Sequence, residues 1–223
     1  MNKLYIDDVM DLRQYEKVRE EQRKKIIALK QIRRVGVGPF ISLVFENRET
    51  MLFQIQEMAR AERIIDEKLL QEEIDIYNNL IPELGEISIT LLIELTSKEE
   101  LYLWLPRLVG IEDSLYLELH AGNLKDTSAY PDLSKDPEQS IPILGGTKSL
   151  LTLKADVQKD HQEMLTREDI TASVHYLKFY IDEFNRELFR SSNLIVKIDH
   201  PEYRYTTYLS NTLQGSILDD WSD

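Results

Sequence analysis

The sequence predicts an α+β fold in which a helical N-terminal part packs on an antiparallel or mixed sheet. Three observations carry this. Up to Pro82 the apolar residues recur mostly at helical spacing, and after Gly85 they fall into short strand-like runs bounded by turn residues. The chain of 223 residues is 42% hydrophobic, enough to bury a core, yet no apolar run approaches the ~20 residues that span a bilayer.

Leu12, Tyr15, Val18, Gln22, Ile26 and Leu29 recur every three or four residues and place a helix over about 11–32. Gly36, Gly38 and Pro39 break it, and residues 40–45 read as a strand paired with 34–37 in a small hairpin. Asn47 or Thr50 can cap a second helix over 51–65, and a third runs over 67–79 until Pro82 and Gly85 end it. This defines a mainly helical segment, 1–85. In 86–223 the order strand 87–95, helix 98–108, strand 115–120 returns as strand 170–181, helix 183–190, strand 194–199. Two β-α-β units suggest a split, ferredoxin-like sandwich with helices on one face. Between them, prolines, glycines and serines mark a long loop insertion at about 125–165. Tyr203, Tyr205 and Tyr208 form a last strand, and 219–223 reads as a frayed acidic tail. The two parts are expected to form one compact unit.

With no cysteine, the chain has no disulfide, thiolate metal ligand or cysteine nucleophile. The first residues lack an apolar signal region, so the expectation is a cytoplasmic protein without a membrane span. A net charge of −13 argues against nucleic-acid binding by the molecule as a whole. The charge is uneven, however. Between Arg13 and Arg34 nine bases face three acids, a net of +6 that leaves −19 for the rest. Such a helix face is either solvated and paired with the acidic remainder or turned toward an anionic partner.

Candidate chemistry centres on the second helix. Advancing ~100° per residue, Met51, Leu52, Ile55, Met58, Ala59 and Ile65 gather into one stripe with Glu62 in its middle. A carboxylate aimed at a core must find a partner or a proton. Either Arg48, Arg60 or Arg63 neutralises it or it lies at a helix end near water; alternatively Glu62 is a metal ligand or an acid–base group. Gln56, Arg60 and Arg63 share an adjacent face and form, with Arg48 and Glu62, a candidate binding set. The histidines are His120, His161, His175 and His200, and Glu62, His175 and His200 together would suffice for iron or zinc. Their spacing is long range and no motif brings them onto one helix. No G-x-S-x-G elbow is present, and the glycines at 36–38 and 145–146 lack phosphate-loop spacing.

The run Phe45-Glu46-Asn47-Arg48-Glu49-Thr50, continuing through Gln56-Glu57-Met58 to Arg60-Ala61-Glu62-Arg63-Ile64, resembles the signature of an uncharacterised bacterial family, the domain-of-unknown-function family numbered 3501. Tyr77–Pro82, Leu108–Asp113, Ser173–Leu177 and Asp199–Tyr203 extend the resemblance over nearly the whole chain, whereas 126–163 looks longer than the family pattern. The resemblance implies no activity. It does imply a context, since family members look like gene neighbours of rubrerythrin-type and iron–sulfur oxidoreductase proteins. The leading expectation is therefore a noncatalytic accessory or protein-interaction module beside redox or peroxide-defence enzymes, meeting an acidic partner through its basic first helix and Arg60/Arg63. The alternatives are a small Glu/His metalloprotein or enzyme, and a binder of a phosphate-bearing ligand or RNA.

Overall fold

The computed structural model describes residues 3–121, 149–158 and 170–222. Helix α1 (Leu12–Arg33) starts at Asp11, whose side chain accepts from Arg13 N and Gln14 N, and runs directly into strand β1 (Arg34–Val37). Gly38, at φ 75°, turns the chain into β2 (Ile41–Glu46). Helices α2 (Arg48–Glu62) and α3 (Glu67–Asn78) follow, capped by Asn47 and Asp66. The rest comprises β3 (Glu86–Ile93), α4 (Lys98–Trp104), β4 (Leu115–His120), β5 (Ser149–Lys154), β6 (Asp156–Val157), β7 (Val174–Tyr180), α5 (Arg186–Ser191), β8 (Asn193–His200), β9 (Tyr203–Tyr208) and α6 (Asn211–Asp220).

The α+β class holds, and the split β-α-β arrangement does not. The strands form two antiparallel sheets, one ordered β1-β2-β3-β7-β6 and the other β5-β4-β8-β9. Both expected β-α-β units cross between sheets, because β3 and β7 lie in the first while β4 and β8 lie in the second. The physical reason lies in the alternation. Ile87, Ile89 and Leu91 on β3 and Leu115, Leu117 and Leu119 on β4 bury one face each, and these faces meet in a shared core with Leu43, Phe45, Leu177, Phe179, Val196 and Ile198. Face-to-face sheets bury more apolar area than side-by-side strands would, at roughly 1.5–3 kcal/mol for each large side chain.

Helices α1, α2 and α3 form a third layer on the outer face of the first sheet. Met51, Ile55, Ile74, Leu80, Ile81 and Leu4 cluster there, with Tyr176 of β7 against them. α2 packs against both α1 and α3. Two expectations are corrected at the C-terminal side. Residues 149–158, placed in a loop, supply β5 and β6; the rest of the expected insertion, His161 included, lies outside the described residues. The frayed tail expected over 219–223 starts inside a helix: α6 runs to Asp220, Leu213 and Ile217 enter the main core, and Trp221 Nε1 donates to Glu86 O at 2.8 Å. Among the described residues no helix is long and apolar enough to cross a membrane.

Candidate functional site

The polar face of α2 is occupied from within the chain. Gln56 is buried and clamps the N-terminal segment, accepting from Met10 N and donating to Met10 O, both at 2.9 Å. Arg60 Nε meets Glu16 Oε1 of α1 at 2.6 Å, and Arg48 meets Asp8 at 2.7 Å. Between them Glu57 accepts from Nε and Nη2 of Arg19, both at 2.7 Å, and from the Tyr15 hydroxyl at 2.7 Å. The Arg19 guanidinium holds the Glu57 carboxyl down, from 4.5 to about 2. These side chains bind α1 and the N-terminal segment to α2.

Glu62 is exposed, which corrects the expectation of an inward carboxylate. The inward stripe of Met51, Ile55 and Ala59 ends before it, because the helix stops there. Arg63 turns left-handed at φ 55°, exposed, and the Ile64 N–H returns to Ala59 O at 2.9 Å. Glu62 and Arg63 therefore sit at a solvated helix end.

The histidines are more informative. His200, at the end of β8, is buried with Nε2 3.1 Å from Val109 O and Nδ1 3.3 Å from Glu202 N. A carbonyl only accepts and an N–H only donates, so Nε2 of His200 is the donor here and Nδ1 the acceptor. His175, on β7, reaches the same turn from the other sheet. Its Nδ1 lies 3.8 Å from Glu112 Oε2, two buried side chains facing each other, while Nε2 lies 2.9 Å from Ala172 O and 3.0 Å from Thr171 Oγ1. The turn Val109–Glu112 thus takes one histidine from each sheet. Burial pushes the His175 pKa below its ordinary 6.5, outweighing the facing Glu112 carboxylate and the Ala172 hydrogen bond.

The arrangement has the outline of a hydroxyl–imidazole–carboxylate relay, Thr171–His175–Glu112, but its hydrogen bonding is that of a strut. The Ala172 carbonyl fixes the proton on Nε2, so this nitrogen cannot take one from Thr171. The separation of 3.8 Å on the other side is too long for a hydrogen bond. Nor are the residues expected to hold iron or zinc brought together. Glu62 is exposed at the end of α2, and among the described residues no three His, Asp or Glu side chains group closely enough for a metal ion. The fourth-residue spacing of helical ligand motifs is missing because His175 and His200 lie on strands of different sheets. His120 instead pairs with Glu118 at 2.9 Å.

Sequence reasoning missed Glu112 and Thr171, although Glu112 lies within the quoted Leu108–Asp113 stretch. It also missed Glu46, buried on the outer face of the first sheet, where Oε1 accepts from Thr90 Oγ1 at 2.8 Å and Oε2 has no hydrogen-bond partner among the described residues. A shallow apolar pocket of about 300 Å³ lies between α4 and Ile170, lined by Leu101, Tyr102, Leu105 and Pro106 with Lys98 among the lining residues.

The fold is thus that of a two-sheet antiparallel α+β protein whose motif histidines brace one turn between the sheets. The chain belongs to the family described as Protein of unknown function (DUF3501), whose model matches residues 3–143 and 145–221. The match runs through 126–163 with a break only at 144, so that region is not foreign to the family. The structure is similar to the crystal structure of a novel protein of unknown function from Burkholderia pseudomallei K96243, at 27% identity, TM-score 0.78, over 98% of this chain and 99% of that one. No curated protein matches.

Proposed function

We propose that the chain is a noncatalytic interaction module that docks an acidic protein surface on the outward face of α1. One observation carries the reading. Of the nine bases between Arg13 and Arg34, Arg19, Lys25, Arg33 and Arg34 pair within the chain, while Arg13, Lys17, Arg23, Lys24 and Lys30 form no ion pair among the described residues. Arg13, Lys17 and Lys24 fall within about 40° of one another at ~100° per residue and span roughly 16 Å of helix. An uncommitted basic stripe on a protein of charge −13 has its own acidic surface as competitor, yet stays unpaired. Arg60, expected to share this role, is engaged by Glu16.

A redox or peroxide-defence enzyme as the partner is supported by the family resemblance alone. Purification of the tagged chain from its own host tests both points. Wild type should retain an acidic protein, identified by mass spectrometry, that is released by salt and absent with Arg13→Glu, Lys17→Glu and Lys24→Glu combined. The same proteins bound to both forms would reject α1 as the docking face, and RNA in their place would favour the phosphate-binding reading.

A further inference from the structure

The helical layer carries a second exposed surface, opposite in charge to the first. On α3, Ile74, Leu70 and Tyr77 face the core cluster, and the other side exposes Leu69 (52%) and Ile76 (40%), with Ile65 (85%) just before the Asp66 cap. By helical geometry Leu69 and Ile76 lie within ~20° of each other, with Glu72 and Glu73 flanking them on either side. This is an apolar seam with acidic edges. α1 presents the complement: Ile27 (48%) is exposed on the helix that carries the basic stripe, and by helical geometry it lies within ~60° of Lys24.

One ion pair offsets the acidic edge within the chain, Lys68 to Glu72 at 3.8 Å, with both side chains largely exposed and so worth little. Glu73 has its carboxyl pushed up by burial and then by Glu62 and Glu72, a local excess of negative charge. Exposed apolar residues in a row, with charged flanks, mark interaction surfaces when they are contiguous, and scattered single ones do not. Both helices pack on α2, so one molecule offers a basic, isoleucine-bearing helix and an acidic, leucine- and isoleucine-bearing helix in the same layer.

We infer that the acidic partner of α1 is a second copy of this chain: the basic face of α1 seats on the Leu69/Ile76 seam of α3 in the other molecule, and reciprocally. Such a contact is isologous, each copy contributing both halves, so two helix–helix seams close around one two-fold axis. It rests on the reading of α1 as a docking face and names its partner. Lys17 and Lys24 then meet Glu72 and Glu73, while Ile27 covers the seam.

The test is a charge exchange on the full chain, read by sedimentation equilibrium. Wild type should sediment at twice the 26.2 kDa monomer mass. Lys17→Glu/Lys24→Glu and Glu72→Lys/Glu73→Lys should each weaken self-association by ~10-fold or more. Lys17, Lys24 and Glu72 are exposed and Glu73 is partly exposed, and circular dichroism checks that the fold is kept. Mixing the two double variants should restore a dimer, because each reversed helix then faces a reversed partner, and the quadruple variant should dimerise alone. A wild type that stays monomeric at roughly 100 μM, far above the micromolar range of modest affinities, overturns the proposal. So does a dimer indifferent to both reversals. In the monomeric case, loss of an acidic host protein by the α1 variant would still uphold the docking reading, so the two failures are distinguishable.

Discussion

Arg33, the last residue of α1, pairs with Asp220 at the end of α6, joining positions 187 residues apart through a guanidinium that is 1% exposed. Every nitrogen is used. Nε donates to Phe45 O at 2.6 Å, Nη1 to Ser216 O and Oγ, and Nη2 to Glu46 O as well as to Asp220. Asn47 Nδ2 holds the other carboxylate oxygen at 3.1 Å. A buried cation is tolerated when its donors are all paired, and this one fastens helix α1, strand β2 and helix α6 at a single point.

Removing one member leaves the others charged and buried. Arg33→Ala should lose about 3–5 kcal/mol of unfolding free energy, and a helix-compatible Arg33→Met should recover part of it. Urea unfolding decides. A loss below about 1 kcal/mol, the level of a surface ion pair, would mean the network is not buried as described.

Glu57 gives a pH dependence at the acid end. Its folded-state value is depressed to about 2 by Arg19, so its contribution is complete above the ordinary 4.5 and disappears as pH falls toward 2. The group is partly exposed, so the effect should be about 1 kcal/mol after solvent screening. Glu57→Gln should therefore be less stable than wild type at pH 6 and converge with it near pH 2. Denaturant titrations at several pH values measure the gap, and a constant gap would contradict the assignment.

His175 acts in a different window. Burial depresses its folded-state pKa, so below about 6.5 the unfolded chain takes up a proton that the folded chain resists, and stability falls as pH drops toward the folded value. His175→Gln should lower stability at pH 7.5 yet flatten the slope between pH 7 and 5. Nitrogen-15 spectra of wild type at pH 7.5 should show the Nε2–H tautomer; an Nδ1–H signal would revive Thr171 as an activated hydroxyl.

Gly38 should tolerate no side chain. At φ 75° a β-carbon would lie 2.5 Å from the Tyr203 hydroxyl and 2.6 Å from the Tyr205 ring, and that hydroxyl also donates to Val37 O at 2.7 Å. Strain and overpacking together predict that Gly38→Ala costs about 2 kcal/mol or more. Thermal unfolding checks it, with Gly36→Ala, which meets nothing within 4 Å, as the comparison.

The site was only half legible. Glu62 looked inward because helical periodicity says which face a residue would share; a helix end near water was the open alternative, and only the folded chain decides for it. Glu112 was passed over because one carboxylate in a turn carries no local mark; its importance comes from a histidine that arrives 63 positions later on another strand. Arg33 looked like one more base in a charged run, since nothing within a helical turn of it announces Asp220.

By itself the sequence determined the α+β class, every helix but the last, most strands, Asn47 as one of two cap candidates, the hairpin at Gly38 and the family. All of these rest on interactions within a few residues or on matching motifs. Tertiary structure alone decided that β3 and β4 part into different sheets, that residues 211–220 dock as a helix, which α1 cations are spent and which remain, and that His175 and His200 meet one turn. Burial and pairing are set by contacts between distant segments, and no local pattern encodes which segment will supply the partner.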